Sequence, residues 1–241
     1  MRQKLVEILK QNKEEFISGQ KLSEILKVSR TAIWKQIKEL EKLGYSVKAH
    51  RKLGYQLISE PDLLIYEEVA PYLNTKFIGR NYIHKEILSS TNDLAKELAY
   101  KVPKGTVIVA ETQTKGRGRM GRNWFSEKSS CILTSIILKP KIRPEKTIAL
   151  TQIAALAVVR AIEEVCHMKT KIKWPNDIIL NSKKVCGILT EMSSEIDVVN
   201  YVVIGIGINV NCTDFPNDLK GKATSLTVSY THLTLPTIYS V

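Results

Sequence analysis

The sequence predicts an α+β protein in two parts: a small, mostly helical domain over residues 1–60 and a mixed-sheet domain over residues 65–227. Three observations carry that prediction. The first sixty residues place apolar side chains at helical spacing. From about residue 77, short β-prone apolar runs outnumber helical ones. Pro61-Asp62 breaks the pattern between them, near residues 60–65. The 241 residues are 44% hydrophobic and 25% charged, the balance of a soluble globular chain. No apolar run reaches the ~20 residues that span a bilayer. The N-terminus alternates charges with short apolar steps and so lacks the layout of a secretory signal, which points to a cytoplasmic protein without a membrane partner. Cys131, Cys166, Cys186 and Cys212 form no C-x-x-C pair and read as reduced, buried thiols, not as a zinc site.

Leu5, Ile8 and Leu9 make the first helical stripe. Ser18 then caps a short helix carrying Leu22, Ile25 and Leu26, and Lys27-Val28 forms a tight connection. Ser29 caps the next helix, with Ile33, Ile37 and Leu40 inward and Arg30, Thr31, Lys35 and Lys38 outward; Gly44 ends it. Two short helices, a tight turn and a basic face describe a helix-turn-helix. Its second helix would present Ser29, Arg30, Thr31 and Lys35 to phosphates or base edges. Residues 45–57 alternate like a hairpin with a basic tip, which is a wing. A solvated helical cap whose lysines serve only solubility would look similar, and Lys27 stands where many such turns carry Gly.

Charge supports two negatively charged partners. The net charge is +12; residues 1–60 hold 13 Lys/Arg against 7 Asp/Glu, and a second basic concentration lies at residues 115–122.

In the second part, strands are expected at residues 83–87, 106–111, 131–138, 171–174, 178–180, 188–192 and 201–211. A helix at 91–100 carries Leu94 and Leu98 on one face. Another at 147–166 has Ala149, Ile153, Leu156 and Val159 at core spacing.

Five places carry unusual residues. Ser89-Ser90-Thr91-Asn92-Asp93 reads as a helix N-cap, and its hydroxyls and free N–H groups also suit a polar ligand. Gln113-Thr114-Lys115-Gly116-Arg117-Gly118-Arg119-Met120-Gly121-Arg122 alternates Gly with Arg after an apolar strand. Gly allows close backbone approach and Arg supplies forked donors for anions, although the spacing is not that of a P-loop. In Lys173-Trp174-Pro175-Asn176-Asp177, Pro175 sets a turn whose Asn-Asp pair could hold hydrated Mg²⁺ or a ribose, or be only a turn. Lys184, at the entrance to an apolar strand with Gly187 beside it, would on its own be a surface charge. Gly205 and Gly207 lie on one strand face, open to a flat group or to another backbone.

In this order, behind a helix-turn-helix, these motifs resemble the biotin–protein ligases of the biotin operon repressor type, over nearly all of residues 1–227. The resemblance implies a class II synthetase-like catalytic domain, incomplete here, with the C-terminal SH3-like domain absent. It implies ATP-dependent formation of biotinyl-5′-AMP and transfer of biotin to a lysine of a biotin carboxyl carrier protein. By similarity, Ser90, Thr91, Asn92, Gln113, Gly116, Arg117, Gly118, Arg119, Lys184, Gly187 and Gly205 would hold biotin. Arg119 and Lys184 would be catalytic, and Arg119, Arg122 and Asn176 would hold the nucleotide, with Asp177 toward Mg²⁺. It further implies operator DNA as a partner and a ligand-promoted homodimer in the full-length protein. Rival readings are a lipoate–protein ligase, whose expected Gly-Gly-Gly and His-Asp features do not appear, and a biotin-sensing regulator without ligase activity. Residues 228–241 contain no Lys, Arg, Asp or Glu and match what the end of a common sequencing transposon would encode if read through. They are expected to be a non-native tail on a truncated gene, with weak or absent ligation by this chain.

Overall fold

In the computed structural model, residues 1–229 are described, and they divide into two compact units, Met1–Leu73 and Asn74 onward. The expected boundary near residues 60–65 therefore lies too early. Of the tail expected from residue 228, Val228 and Ser229 end a short helix, and residues 230–241 lie outside the described residues.

The first unit contains α1 (Arg2–Gln11), α2 (Gly19–Leu26), α3 (Arg30–Lys42), the strands β1 (Ser46–His50) and β2 (Gly54–Ser59), and α4 (Tyr66–Val69). Leu5, Leu9, Leu22, Ile33, Ile37 and Leu40 form its core. Both predicted serine caps close: Ser18 Oγ accepts the Lys21 N–H at 3.1 Å and Ser29 Oγ accepts that of Ala32 at 3.2 Å. Lys27 ends α2 in the left-handed conformation (φ 53°), where a side chain is unfavourable and Gly is the usual solution. β1 and β2 pair antiparallel from Val47↔Leu57 to His50↔Gly54, with Arg51 and Lys52 exposed at the tip. The unit runs to Leu73 because α4 is tied back to α1. Lys10 Nζ lies 2.6 Å from Glu68 and 2.8 Å from Glu60, and Arg2 lies 3.3 Å from Glu67.

The second unit is a seven-stranded mixed sheet. Its strands are β3 (Tyr82–Leu88), β4 (Val107–Gln113), β5 (Cys131–Leu138), β6 (Lys171–Lys173), β7 (Asp177–Leu180), β8 (Lys183–Ser194) and β9 (Val199–Asn209), in the order β3-β4-β5-β9-β8-β7-β6. β3 and β4 run parallel and every other neighbouring pair is antiparallel. Side chains alternate across a sheet, so the two faces take different helices. Ile137 and Val203 pack under α5 (Thr91–Leu98), whereas Val202, Ile204 and Ile188 pack under α6 (Thr147–Cys166). α7 (Leu226–Ser229) follows β9 after a long loop.

Two expectations need correction here. β8 begins at Lys183, earlier than the expected residue 188, so Lys184 is inside the strand, paired with Ile179. The buried face of α6 is Thr147, Ala155, Val158 and Ile162; Ala149, Ile153 and Leu156 are exposed. That helix is apolar on nearly every side, so spacing alone fits more than one face. All four cysteines are free, and three are buried, with Cys166 only half-buried. Burial pushes the Cys131 thiol up to about 11 and that of Cys186 up to about 12.

Candidate functional site

The α5 face of the sheet carries a site assembled from four segments. At its base is the N-terminus of α5. Ser90 occupies the N-cap position, but its side chain makes no cap bond. Gln113, at the end of β4, takes that role: its Oε1 accepts the Thr91 N–H at 2.7 Å and the Thr91 hydroxyl at 3.1 Å. The capping oxygen thus arrives from a neighbouring strand, which the local pattern at residues 89–93 could not reveal. Asn92 is buried and fully engaged. Its Nδ2 donates to Glu191 Oε2 at 2.7 Å and more weakly to the Leu189 carbonyl at 3.3 Å. The Ser135 hydroxyl, on β5, donates to Asn92 Oδ1 at 2.6 Å and stands 2.8 Å from Thr91 Oγ1. A Cβ on Gly205 would fall 2.2 Å from Asn92 Oδ1, so this glycine is the space that lets Asn92 lie on β9. Asn92 is therefore a buried support of the site wall.

The strip prepared by Gly187 and Gly207, which face each other in register on β8 and β9, is covered by a flat group from the chain itself. A Cβ on Gly207 would lie 2.6 Å from Trp124 Cε2, and one on Gly187 would lie 2.8 Å from Trp124 Cζ3. The Trp124 indole Nε1 is buried without a hydrogen-bond partner, a costly state that a polar ligand could relieve.

Trp124 belongs to the Gly/Arg loop, which folds back on itself. The Trp124 N–H donates to the Gly116 carbonyl at 2.9 Å, and the Gly118 N–H to that of Arg122 at 2.7 Å. A Cβ on buried Gly116 would crowd the Trp124 carbonyl at 3.0 Å and Gln113 Nε2 at 3.1 Å. Arg119 reaches across the site and donates to Asn176 Oδ1 at 3.1 Å; Asn176 in turn donates to the Ile188 carbonyl at 3.0 Å. Arg117 lines the inner cavity and is paired with Asp93 on α5. Arg122 is exposed on the rim of the outer cleft.

Lys184 Nζ lies 2.7 Å from Asp177 Oδ1 and 5.6 Å from the centre of the Trp124 ring. Asp177 thus serves Lys184 here, in a close ion pair without a directed hydrogen bond. Among the described residues, no three His, Cys, Asp or Glu side chains gather as a metal site. A small inner cavity of about 50 Å³ is lined by Thr91, Gln113, Arg119, Lys184 and Gly205. An outer cleft of about 470 Å³ is lined by Arg122, Asp177, Asn209 and Phe215. Arg119, Trp124, Asn176 and Lys184 wall both. Cations thus stand between a small polar cavity and a larger open one. That arrangement suits joining a carboxylate to a polyphosphate, two groups that repel until their charge is neutralised.

In the first unit, Ser29, Arg30, Thr31 and Lys35 are all exposed at the N-terminal part of α3. Arg30 shares a cleft of about 390 Å³ with His50, Arg51 and Lys52 of the hairpin. Trp34, half-exposed at 51%, interrupts this basic surface; it was not singled out in the sequence, although position 34 falls on the same helical face. Trp124 also lines both cavities, and its signal in the sequence is its place as the first aromatic after the Gly/Arg alternation. Ser135, Asp93 and Glu191 line neither cavity but bond to residues that do, and nothing local marks them for that role.

Comparison with known proteins agrees with this geometry. Residues 85–209 match the family model described as the biotin/lipoate A/B protein ligase family, and residues 1–56 match a helix-turn-helix domain. The chain is 51% identical over 229 residues to the bifunctional ligase/repressor BirA of Bacillus subtilis, covering 94% of this chain and 70% of that one. It is 31% identical over 196 residues to the BirA of Escherichia coli, covering 81% of this chain and 60% of that one. The biotin protein ligase of Aquifex aeolicus in complex with biotin and ATP superposes with a TM-score of 0.54 at 34% identity, covering 65% of this chain and 64% of that one. The chain therefore spans somewhat under two thirds of that solved structure. With two of its segments matched in this order and the site built on the matched strands, the chain belongs to the biotin/lipoate A/B protein ligase family and carries an N-terminal helix-turn-helix domain.

Proposed function

We propose that this chain belongs to a bifunctional biotin–protein ligase and biotin-responsive repressor. The observation that carries the reading is the meeting of Arg119 and Lys184 at the wall shared by the inner cavity and the outer cleft. Biotin would enter at the inner cavity, which must widen from its about 50 Å³ to hold it, with its carboxylate toward Lys184, and ATP would lie in the outer cleft against Arg119, Arg122 and Asn176. A biotin carboxylate oxygen attacks the α-phosphorus, the bond to the bridging oxygen breaks, and pyrophosphate leaves. An acceptor lysine amine of a biotin carboxyl carrier protein then attacks the acyl carbon and AMP departs. Lys184 and Arg119 contribute fixed positive charge where negative charge builds up, commonly the largest catalytic effect. Moving Arg119 from the neutral Asn176 amide to a phosphate exchanges a weaker hydrogen bond for a charge-assisted one.

Mg²⁺ would fit this site only as part of the nucleotide complex. Asp177, ion-paired with Lys184 in the structure, would be shared with it as one carboxylate, and magnesium is commonly held by one or two carboxylates plus substrate phosphates and water. Bound there, it would neutralise phosphate charge.

The helix-turn-helix would bind operator DNA through Ser29, Arg30, Thr31 and Lys35, with the hairpin tip on the phosphates. Ligand-promoted pairing of two copies would set two such helices on one operator. Among the described residues, no helix is long and apolar enough to cross a membrane.

Biotin-dependent exchange of labelled pyrophosphate into ATP tests the ligase reading. Exchange should require biotin, and Lys184→Ala should reduce it by at least about a hundredfold. Exchange with lipoate and none with biotin would sink the proposal.

A further inference from the structure

Two arginines of the Gly/Arg loop are tied to the rest of the unit, and their partners differ in chemistry. Arg119 rests on the uncharged Asn176 amide, whereas Arg117 rests on the Asp93 carboxylate in the first turn of α5. Asp93 is itself held. Lys96 Nζ lies 3.3 Å from it and 2.6 Å from Glu191, and Glu191 accepts from Asn92. This chain of charges runs from the loop through α5 to β8, and it reaches the buried Asn92 that lies against Gly205. A carboxylate near a helix N-terminus is also favoured by the helix dipole.

Resting on the ligase reading above, we propose that Asp93 is the positioning residue of the Gly/Arg loop: its ion pair with Arg117 anchors the loop stem, leaving Arg119 as the arginine that moves to the nucleotide. The division of labour follows from the partners. Leaving Asn176 gives up a neutral hydrogen bond, which an incoming phosphate more than replaces. Leaving Asp93 would give up a charge-assisted bond and leave that carboxylate to Lys96 alone, so Arg117 stays. With the stem anchored, Gly116, Trp124 and Gly118 hold their places before biotin arrives, and less ordering remains to be done on binding.

The anchor is half-exposed, so its effect is modest: loss of such a pair corresponds to about a two- to fivefold change. The test uses the 241-residue chain and three variants, Asp93→Asn, Asp93→Glu and Arg117→Gln, with the double variant Asp93→Asn/Arg117→Gln. Two quantities are read. One is the initial rate of tryptic cleavage after Arg119 and Arg122 without ligand, located by mass spectrometry. The other is biotin affinity followed by tryptophan fluorescence. Asp93→Asn and Arg117→Gln should each raise loop cleavage and the biotin dissociation constant by about two- to fivefold. The double variant should be no worse than either single one, and Asp93→Glu should restore most of the protection. Unchanged loop cleavage in Asp93→Asn, or effects that multiply in the double variant, would overturn the anchor. Loss of protection in Asp93→Asn in a chain that shows no affinity for biotin would support the anchor and count against the ligase reading, so the two can fail separately.

Discussion

At the scale of single residues, the site depends on side chains that are missing as much as on those present. Gly205 illustrates this, because Asn92 Oδ1 occupies the place of its absent Cβ, 2.2 Å away. Gly205→Ala must displace Asn92, and with it bonds to Ser135, Glu191 and Leu189 inside a buried network. Overpacking and buried polar groups without partners each cost roughly 1–3 kcal/mol. The variant should therefore lower the denaturation midpoint measurably and weaken biotin binding more than tenfold. Gly121 offers the contrast: it has a positive φ (73°), which Gly205 does not, and nothing stands within 4 Å of its Cβ position. Gly121→Ala should show backbone strain alone, of about 1 kcal/mol. Equal effects of the two variants on biotin affinity, read in the same fluorescence titration, would argue against the packing account.

Among the elements, the end of α2 and the ion pairs that Glu60 makes with Lys10 of α1 and with Lys13 invite two tests of stability. Lys27 closes α2 at φ 53°, ψ 46°, with its side chain exposed. Lys27→Gly removes the left-handed penalty and should raise the urea midpoint, by up to about 1 kcal/mol in stability. The larger entropy loss of Gly on folding opposes the gain, and a lowered midpoint would show that it dominates. Glu60 supplies the second test. Burial raises its carboxyl, but hydrogen bonds from Lys10 and Lys13 outweigh this and hold it below the usual carboxylate range. Its folded value is thus below its unfolded one, so its stabilisation is present above the unfolded value and lost as pH falls through the folded one. Burial lowers Lys10, and the bonds from Glu60 and Glu68 outweigh it in the other direction, so its share is lost only at strongly alkaline pH. Glu60→Gln should lower the urea midpoint at pH 7 and make the decline toward pH 3 shallower. An equally steep acid limb in the variant would exclude Glu60 as a contributor.

For the whole molecule, the two units bring together two kinds of anion recognition. The first unit presents Arg30, Lys35 and the hairpin tip to the open surface, suited to a polyanion whose binding releases counterions. The second encloses its cations between two cavities, suited to a reaction. This difference makes a salt-dependence test informative. If Arg30 neutralises a backbone phosphate, Arg30→Ala should reduce the log–log salt slope for duplex DNA by about 0.9. Binding to any duplex should weaken together. An unchanged slope with weakening on only one sequence would assign Arg30 to base reading instead.

Much of this was legible along the chain because it is written in local patterns. Helical spacing marks Leu5, Ile33 and Ile37 as core, serines at positions 18 and 29 announce helix starts, and alternating Gly and Arg mark an anion loop whatever surrounds them. The motifs singled out in the sequence then fall on the segments that line the two cavities. Which atoms meet was decided only in three dimensions. Gln113 instead of Ser90 caps α5, Arg117 turns to Asp93, Lys184 turns to Asp177, and Trp124 covers the Gly187–Gly207 strip. The face that α6 buries was also open, since its apolar residues fit several faces. The physical reason is separation. Asn92 and Glu191 bond at 2.7 Å across 99 residues of chain, and nothing in the local periodicity of either segment records a partner that only sheet pairing brings near.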